Sequence, residues 1–334
     1  MKKLFLFITV SAFLLTSFAG FASAAEVVVY SARNEHLIEP LFEEFTKETG
    51  IKIKFITDKA GALVQRLKTE GARTPADVLI TVDAGNLWYA ADQGLLQPVN
   101  SEILKTNIPE HLRDPQGKWF GLSIRARTIV YNTNKVKPEE LSTYEALGDP
   151  KWKGRLLLRT SKKVYNQSLV AMLISEHGVD KTESIVRSWV GNLATDPFSN
   201  DTKVMEAIVA GQGDIGIVNS YYYGRLIKKK PDLPLALFWP GQDDSGVHVN
   251  VSGAGVTKYA THQQEAVRFL EWLSSPAAQR VFADSNMEYP VNLAVEPHLT
   301  VKSWGTFKQS TMNLAKAGTL QSASIKLMDR VGYR

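Results

Sequence analysis

The chain reads as an α/β protein of two lobes, each assembled from discontinuous segments and hinged about a cleft. Three observations lead there. Strand and helix patterns alternate from Val27 to Gly94. Two strand-like runs, Trp119 to Tyr131 and Gly246 to Val256, exceed the five or six residues usual for a strand. A strand-to-helix edge then ends in three consecutive tyrosines, Tyr221, Tyr222 and Tyr223.

In order, Val27 to Tyr30 is a short buried strand. Leu37, Ile38, Leu41, Phe42 and Phe45 recur at helical spacing and stop at Gly50. Ile51 to Ile56 alternates as a strand, Leu63 to Gly71 is helical, Ala76 to Val82 is a strand and Asn86 to Gly94 a short helix. This βαβαβα order predicts a largely parallel, doubly wound sheet. The two long runs are read as crossings between lobes. Between them, strands at Arg155 to Arg159, Asp214 to Val218 and Leu235 to Trp239 are separated by helices, one of them Gly224 to Lys230. Helices are predicted at Gln263 to Ser274, Ala277 to Ser285 and Ser303 to Gly318. The expected first lobe is 25–125 plus 252–302, and the second 126–251 plus 303–334.

Residues 1–24 read as a cleaved signal peptide: Lys2 and Lys3, an apolar run from Leu4, then Ala22-Ser23-Ala24. The run is too short to favour a membrane span. The chain has no cysteine, which excludes disulfides, thiolate metal sites and a lipid-bearing cysteine. Free residence in a periplasm-like space is expected. The weakly basic charge has one concentrated block, Lys228 to Lys230, which reads as a solvated helix end. Nucleic acid is not an expected partner.

Ligands of open α/β sheets bind beyond the carboxyl ends of the strands. Three segments fall there: Ser31 to Glu35, Thr160 to Tyr165, and Asn219 to Tyr223. Adjacent phenols suit a hard, highly charged cation, because hard oxygen donors match hard cations and a phenolate at neutral pH needs strong positive charge nearby. Packing of a helix start fits the triplet as well. Successive helical side chains diverge by about 100°, so Tyr221 and Tyr222 can share a ligand while Tyr223 packs inward. Arg125 and Arg127 lie two apart on one strand face, and Arg33 follows the first strand. Each suits a carboxylate, carbonate or phosphate, and each equally suits a solvated surface. The six histidines show no metal-ligand spacing, and His36 reads as surface. Asp58 and Asp83 follow strands and read as helix caps. Nucleotide, serine-hydrolase and HExxH motifs are absent, and Ser161-Lys162 offers a hydrolase reading only by adjacency.

The chain resembles the periplasmic ferric-iron-binding proteins of ABC iron transporters across nearly all of its length after the signal peptide. The resemblance is carried by Val29-Tyr-Ser-Ala-Arg33, Phe45-Thr-Lys-Glu-Thr-Gly-Ile-Lys-Ile53, Thr74-Pro-Ala-Asp-Val78, Asn219-Ser-Tyr-Tyr-Tyr-Gly-Arg225 and Gly246 to Val256. It implies a type II-like periplasmic binding protein, a monomer that is not an enzyme. Its cargo would be ferric iron, free or chelated, passed to a membrane permease with its ATPase. Tyr221 and Tyr222 would be metal ligands, with Tyr165 a third, as in a subset of relatives. Asn34 and Glu35 stand where many relatives place a histidine or a histidine-tyrosine pair, and Val82 with Asp83 where others place a glutamate. The expectation is therefore a three-tyrosine site completed by carbonate or bicarbonate, held by Arg33, Arg125 and Arg127, with Asn219 behind the ligands. The rival on the same fold is an organic solute such as thiamine or a polyamine stacked on the tyrosines.

Overall fold

A computed structural model describes residues 25–334. The expected signal peptide lies outside the described residues. The chain opens with β1 (Glu26–Ser31), then α1 (Glu35–Thr49), whose buried face is Leu37, Ile38, Leu41, Phe42 and Phe45. Gly50 ends α1 at φ 72°, a left-handed conformation that costs glycine little. β2 (Lys52–Thr57), α2 (Ala60–Glu70), β3 (Val78–Thr81), α3 (Ala84–Asp92) and α4 (Glu102–Asn107) follow. β4 (Phe120–Asn132) is buried at all 13 positions.

β5 (Leu156–Leu157), α5 (Val164–His177), α6 (Val179–Asn192), α7 (Asp201–Val209), β6 (Ile215–Asn219), α8 (Ser220–Lys229) and β7 (Leu235–Phe238) form the middle. β8 (Val249–Val256), α9 (Gln263–Leu273), α10 (Pro276–Asn286) and β9 (Tyr289–Pro290) return the chain to the first half. α11 (Leu299–Lys302), α12 (Ala315–Thr319) and α13 (Gln321–Arg330) end it. No helix among the described residues is long and apolar enough to cross a membrane.

The sheet order is β2-β1-β3-β8-β4-β6-β5, with β7 and β9 also on β4. β1/β2, β1/β3 and β5/β6 are parallel, as the βαβ pattern requires. The centre is not: β8 and β4 run antiparallel to each other and to β3 and β6 respectively. The sheet is therefore mixed, because the two long strands cross between its halves in opposite directions. β4 pairs with β8 from Phe120 to Ala126, then with β6 from Arg127 to Tyr131. The apolar core divides accordingly. One cluster takes residues from Val27 to Ala126, from Val247 to Val291, and Leu314; the others take Ile129 to Leu235 and the C-terminal residues Leu327 to Tyr333. We propose that the lobes divide along these cores, with crossings at Ala126–Arg127 and near His248. Tyr144 ties the two crossings together: its hydroxyl donates to the Arg127 carbonyl and accepts from the His248 N–H at 3.1 Å.

Two element expectations are corrected. The helix expected over 303–318 is confined to α12. Before it the chain runs extended beside Val247, whose N–H donates to the Lys308 carbonyl and whose carbonyl accepts from the Ser310 N–H, both at 2.9 Å. Gly246 permits that approach: at φ 87° a Cβ there would lie 2.7 Å from the Lys308 oxygen. α8 begins at Ser220 rather than Gly224, which puts all three tyrosines in its first turn.

Candidate functional site

Two helix starts deliver the phenols. Tyr165 is the second residue of α5, beyond β5, and Tyr221 and Tyr222 are the second and third residues of α8, directly after β6. The Tyr221 and Tyr222 rings lie with centroids 4.4 Å apart, inclined by 31°. Burial pushes the Tyr221 hydroxyl well above the usual tyrosine range; negative charge on Tyr165 or Tyr222 would push it further, and Arg125 pulls the other way. Tyr165 and Tyr222 are thus electrostatic neighbours of Tyr221 and oppose its ionisation until a cation arrives. The first turn of α8 adds the positive end of a helix dipole. Tyr223 turns away, donating to the Leu235 carbonyl at 3.1 Å and meeting Trp304 edge-on at 5.7 Å.

Guanidinium groups surround this cluster. Arg159 lies 5.1 Å from the Tyr165 ring centre and 5.8 Å from that of Tyr222, and Arg125 lies 5.8 Å from Tyr165. Arg33 donates through Nη1 to Glu288 at 3.0 Å and to Ser252 at 2.7 Å; Arg125 donates to the same Ser252 hydroxyl at 2.5 Å. Burial works against the charge of Arg125, and Glu288, Tyr165, Tyr221 and Asp83 more than offset it. Arg33 retains buried Nε and Nη2 without a partner among the described residues, as do Arg125 and Arg159 at Nε and Asn219 at Nδ2. Buried donors of this kind require an acceptor. Three of the four arginines here pair with two carboxylates, Glu288 and Asp201, and Arg125 has no ion pair among the described residues. The surplus positive charge favours phenolates and a small anion.

Arg127 is held differently. Its Nη1 pairs with Asp201 at 2.8 Å and reaches Asn219 Oδ1 at 3.3 Å, while Nη2 donates to Asn166 at 2.5 Å. Asp201 opens α7 beside β6 and captures the guanidinium at Nη1, so Arg127 braces these elements, while its Nε is buried without a partner among the described residues. Asn219 belongs to that brace: its N–H also donates to Asp201, at 2.9 Å. Asn34, Glu35 and His36 are exposed, and Lys162 is exposed beside Ser161. Asp83 caps α3 through the Gly85 N–H at 2.7 Å. It also accepts from Asn250 at 2.9 Å and from Ser168 of α5 at 3.3 Å, joining the two lobes.

Sequence reasoning missed Arg159, Glu288, Asp201 and Asn166. Arg159 carried a usable signal, since it closes the strand run that leads to Tyr165. Glu288 lies 255 residues from Arg33, and nothing local in the sequence announces that pairing.

Residues 73–314 match the family of bacterial extracellular solute-binding proteins. The chain belongs to that family. Among its solute-binding relatives, iron uptake protein A1 of Synechocystis sp. is 47% identical over 92% of this chain and 88% of its own length. A Trichodesmium structure in complex with iron and citrate ligands is 46% identical. It superposes with a TM-score of 0.90 over 93% of this chain and 100% of that one. Apo FutA2 from Synechocystis superposes with a TM-score of 0.88 at 42% identity, over 93% of this chain and 100% of that one. The two-lobed α/β architecture of this solute-binding protein is the one those structures share.

Proposed function

We propose that this solute-binding protein captures ferric iron outside the cytoplasmic membrane and delivers it to an ABC permease with its ATPase. The observation that carries the reading is the meeting of Tyr165, Tyr221 and Tyr222 beneath buried arginine donors that lack acceptors. Three phenolates neutralise a trivalent ion, and a hard cation prefers them to neutral oxygens. The relatives named for iron uptake and the Trichodesmium structure holding iron and citrate support the same cargo. Secretion through a cleaved 1–24 signal, residence in the periplasm and action as a monomer belong to this reading.

Arg33 and Arg125 hold a bridging anion, carbonate or bicarbonate, and Arg159 backs the phenols. The anion favours closure because both lobes contact it only when they meet; a ligand shifts a conformational equilibrium only by binding one state better. An organic cation would need an acidic partner, and the buried acids here are already engaged by arginine or by helix capping. The deciding experiment is a visible absorption titration of metal-stripped protein with ferric citrate, with and without bicarbonate. A saturable tyrosinate-to-iron charge-transfer band at one iron per chain is expected, strengthened by bicarbonate. No band under any anion sinks the reading.

A further inference from the structure

A second set of metal-ligating side chains lies at the opposite end of α5 from Tyr165. His177 Nε2 and Glu145 Oε1 are 2.7 Å apart, and a carboxylate oxygen of Glu176 falls within 4.8 Å of both. The site is half buried, with the His177 side chain 30% exposed and that of Glu145 29%. Glu176 accepts from the Ser245 hydroxyl at 3.1 Å, and no lysine or arginine pairs with it among the described residues. Burial pushes its carboxyl above the usual range, and the charges of Glu145 and Asp244 add to that, against the pull of Ser245 and His177.

Glu145 is paired with His177 while Glu176 has no lysine or arginine partner among the described residues, so one imidazole answers only part of the repulsion between the two carboxylates. A divalent cation answers it fully. Two carboxylate oxygens and one imidazole nitrogen form a donor set suited to zinc-class ions, which bind at low coordination number and tolerate mixed N and O ligands. The terminal carbonyls of α5 place negative potential at the same end. Surface acids scattered on a helix lack this convergence: here the ligands come from two chain segments that meet at one point.

We propose that Glu145, Glu176 and His177 form an accessory site for a divalent cation of the zinc class, separate from the tyrosine cluster. His177 lies twelve residues beyond Tyr165 on one helix, so the two sites are about 18 Å apart at 1.5 Å per residue. A cation there displaces the hydrogen now shared by His177 and Glu145. It locks the segment after Tyr144, which ties the two crossings, to the helix that presents Tyr165.

The test is equilibrium dialysis of the iron-loaded protein against Zn2+, repeated on the combined Tyr165→Phe, Tyr221→Phe, Tyr222→Phe variant so that the result stands apart from the iron reading. One zinc per chain is expected in both, with affinity falling at least about tenfold in Glu176→Gln and in His177→Gln. Added zinc should raise the thermal unfolding midpoint of the parent, and raise that of either variant less at the same zinc concentration. Absence of zinc uptake by the parent, or an affinity undiminished in either variant, overturns the proposal.

Discussion

The Arg125 guanidinium lies 5.8 Å from the centre of the Tyr165 ring, held on its other side by the Ser252 hydroxyl. A residue of the strand that crosses between lobes therefore faces a phenol carried by a helix of the second. Arg125→Met removes one charge facing the phenols and, on the proposed function, one anion contact. A charge-assisted hydrogen bond contributes about 1.5–3 kcal/mol, so ferric affinity should fall roughly tenfold or more. Bicarbonate should no longer enhance the charge-transfer band. A variant with undiminished bicarbonate dependence would remove Arg125 from the anion site.

Tyr221 and Tyr223 are two apart in sequence and opposite in role. On the proposed function Tyr221→Phe removes a ligand oxygen; because even an outer partner of a metal ligand is worth about 10–100-fold, the loss should reach at least about 100-fold. Tyr223→Phe deletes a hydrogen bond to the Leu235 carbonyl and should leave iron binding unchanged while costing about 1 kcal/mol of stability. Equal loss of the band in both variants would show that packing of the α8 start, and not ligation, is being measured.

Loading should depend steeply on pH. Tyr221 is held protonated in the metal-free site by burial and by its neighbours, so each phenol that binds iron must release a proton. At fixed free ferric ion, affinity should rise with pH by up to about tenfold per unit for each phenol, hence up to about 1000-fold for three. Proton release on loading, counted in weak buffer, checks this directly. Release of no proton would exclude phenolate ligation.

Elements were legible wherever burial is periodic. The α1 face from Leu37 to Phe45 and the α/β alternation can be read straight from the residues, as can both long strands, β4 and β8. The 303–318 segment could not, because its conformation is set by Val247, more than fifty positions away, and not by its own spacing. The same holds at the site. Tyr221 and Tyr222 stand out as neighbours in sequence, whereas the difference between Arg125 and Arg127 was hidden. Both share a strand face, and only the arrival of Asp201 from α7 makes one a brace and leaves the other facing the phenols.

That distinction is itself testable. Arg127→Met leaves Asp201 fully buried with the 3.3 Å contact to Arg159 and the Asn219 N–H at 2.9 Å to answer its charge. Breaking a buried ion pair from one side costs about 3–5 kcal/mol. Urea unfolding should show a loss near the lower figure, since Arg159 remains. Iron-loaded variant protein that still folds should keep its bicarbonate dependence, in contrast to Arg125→Met.

Asp83 supplies a pH dependence of opposite origin. Burial raises its carboxyl to about 6, although Gly85, Arg125, Ser168 and Asn250 all favour the ionised form. Its pKa in the unfolded chain is about 3.9. Between those two values the native state holds the extra proton, so this group makes the protein less stable as pH rises through that window. Two pKa units correspond to about 3 kcal/mol, lost by the time the pH exceeds about 6. Asp83→Asn cannot titrate, and its amide opposes the Asn250 amide at a cost independent of pH. The unfolding free energy of the parent minus that of Asp83→Asn should therefore fall by up to about 3 kcal/mol between about pH 4 and pH 7. A difference that stays flat across this range would mean that Asp83 titrates in the folded protein as it does in the unfolded chain. The contact with Ser168 would then join the lobes through an ordinary ionised carboxylate.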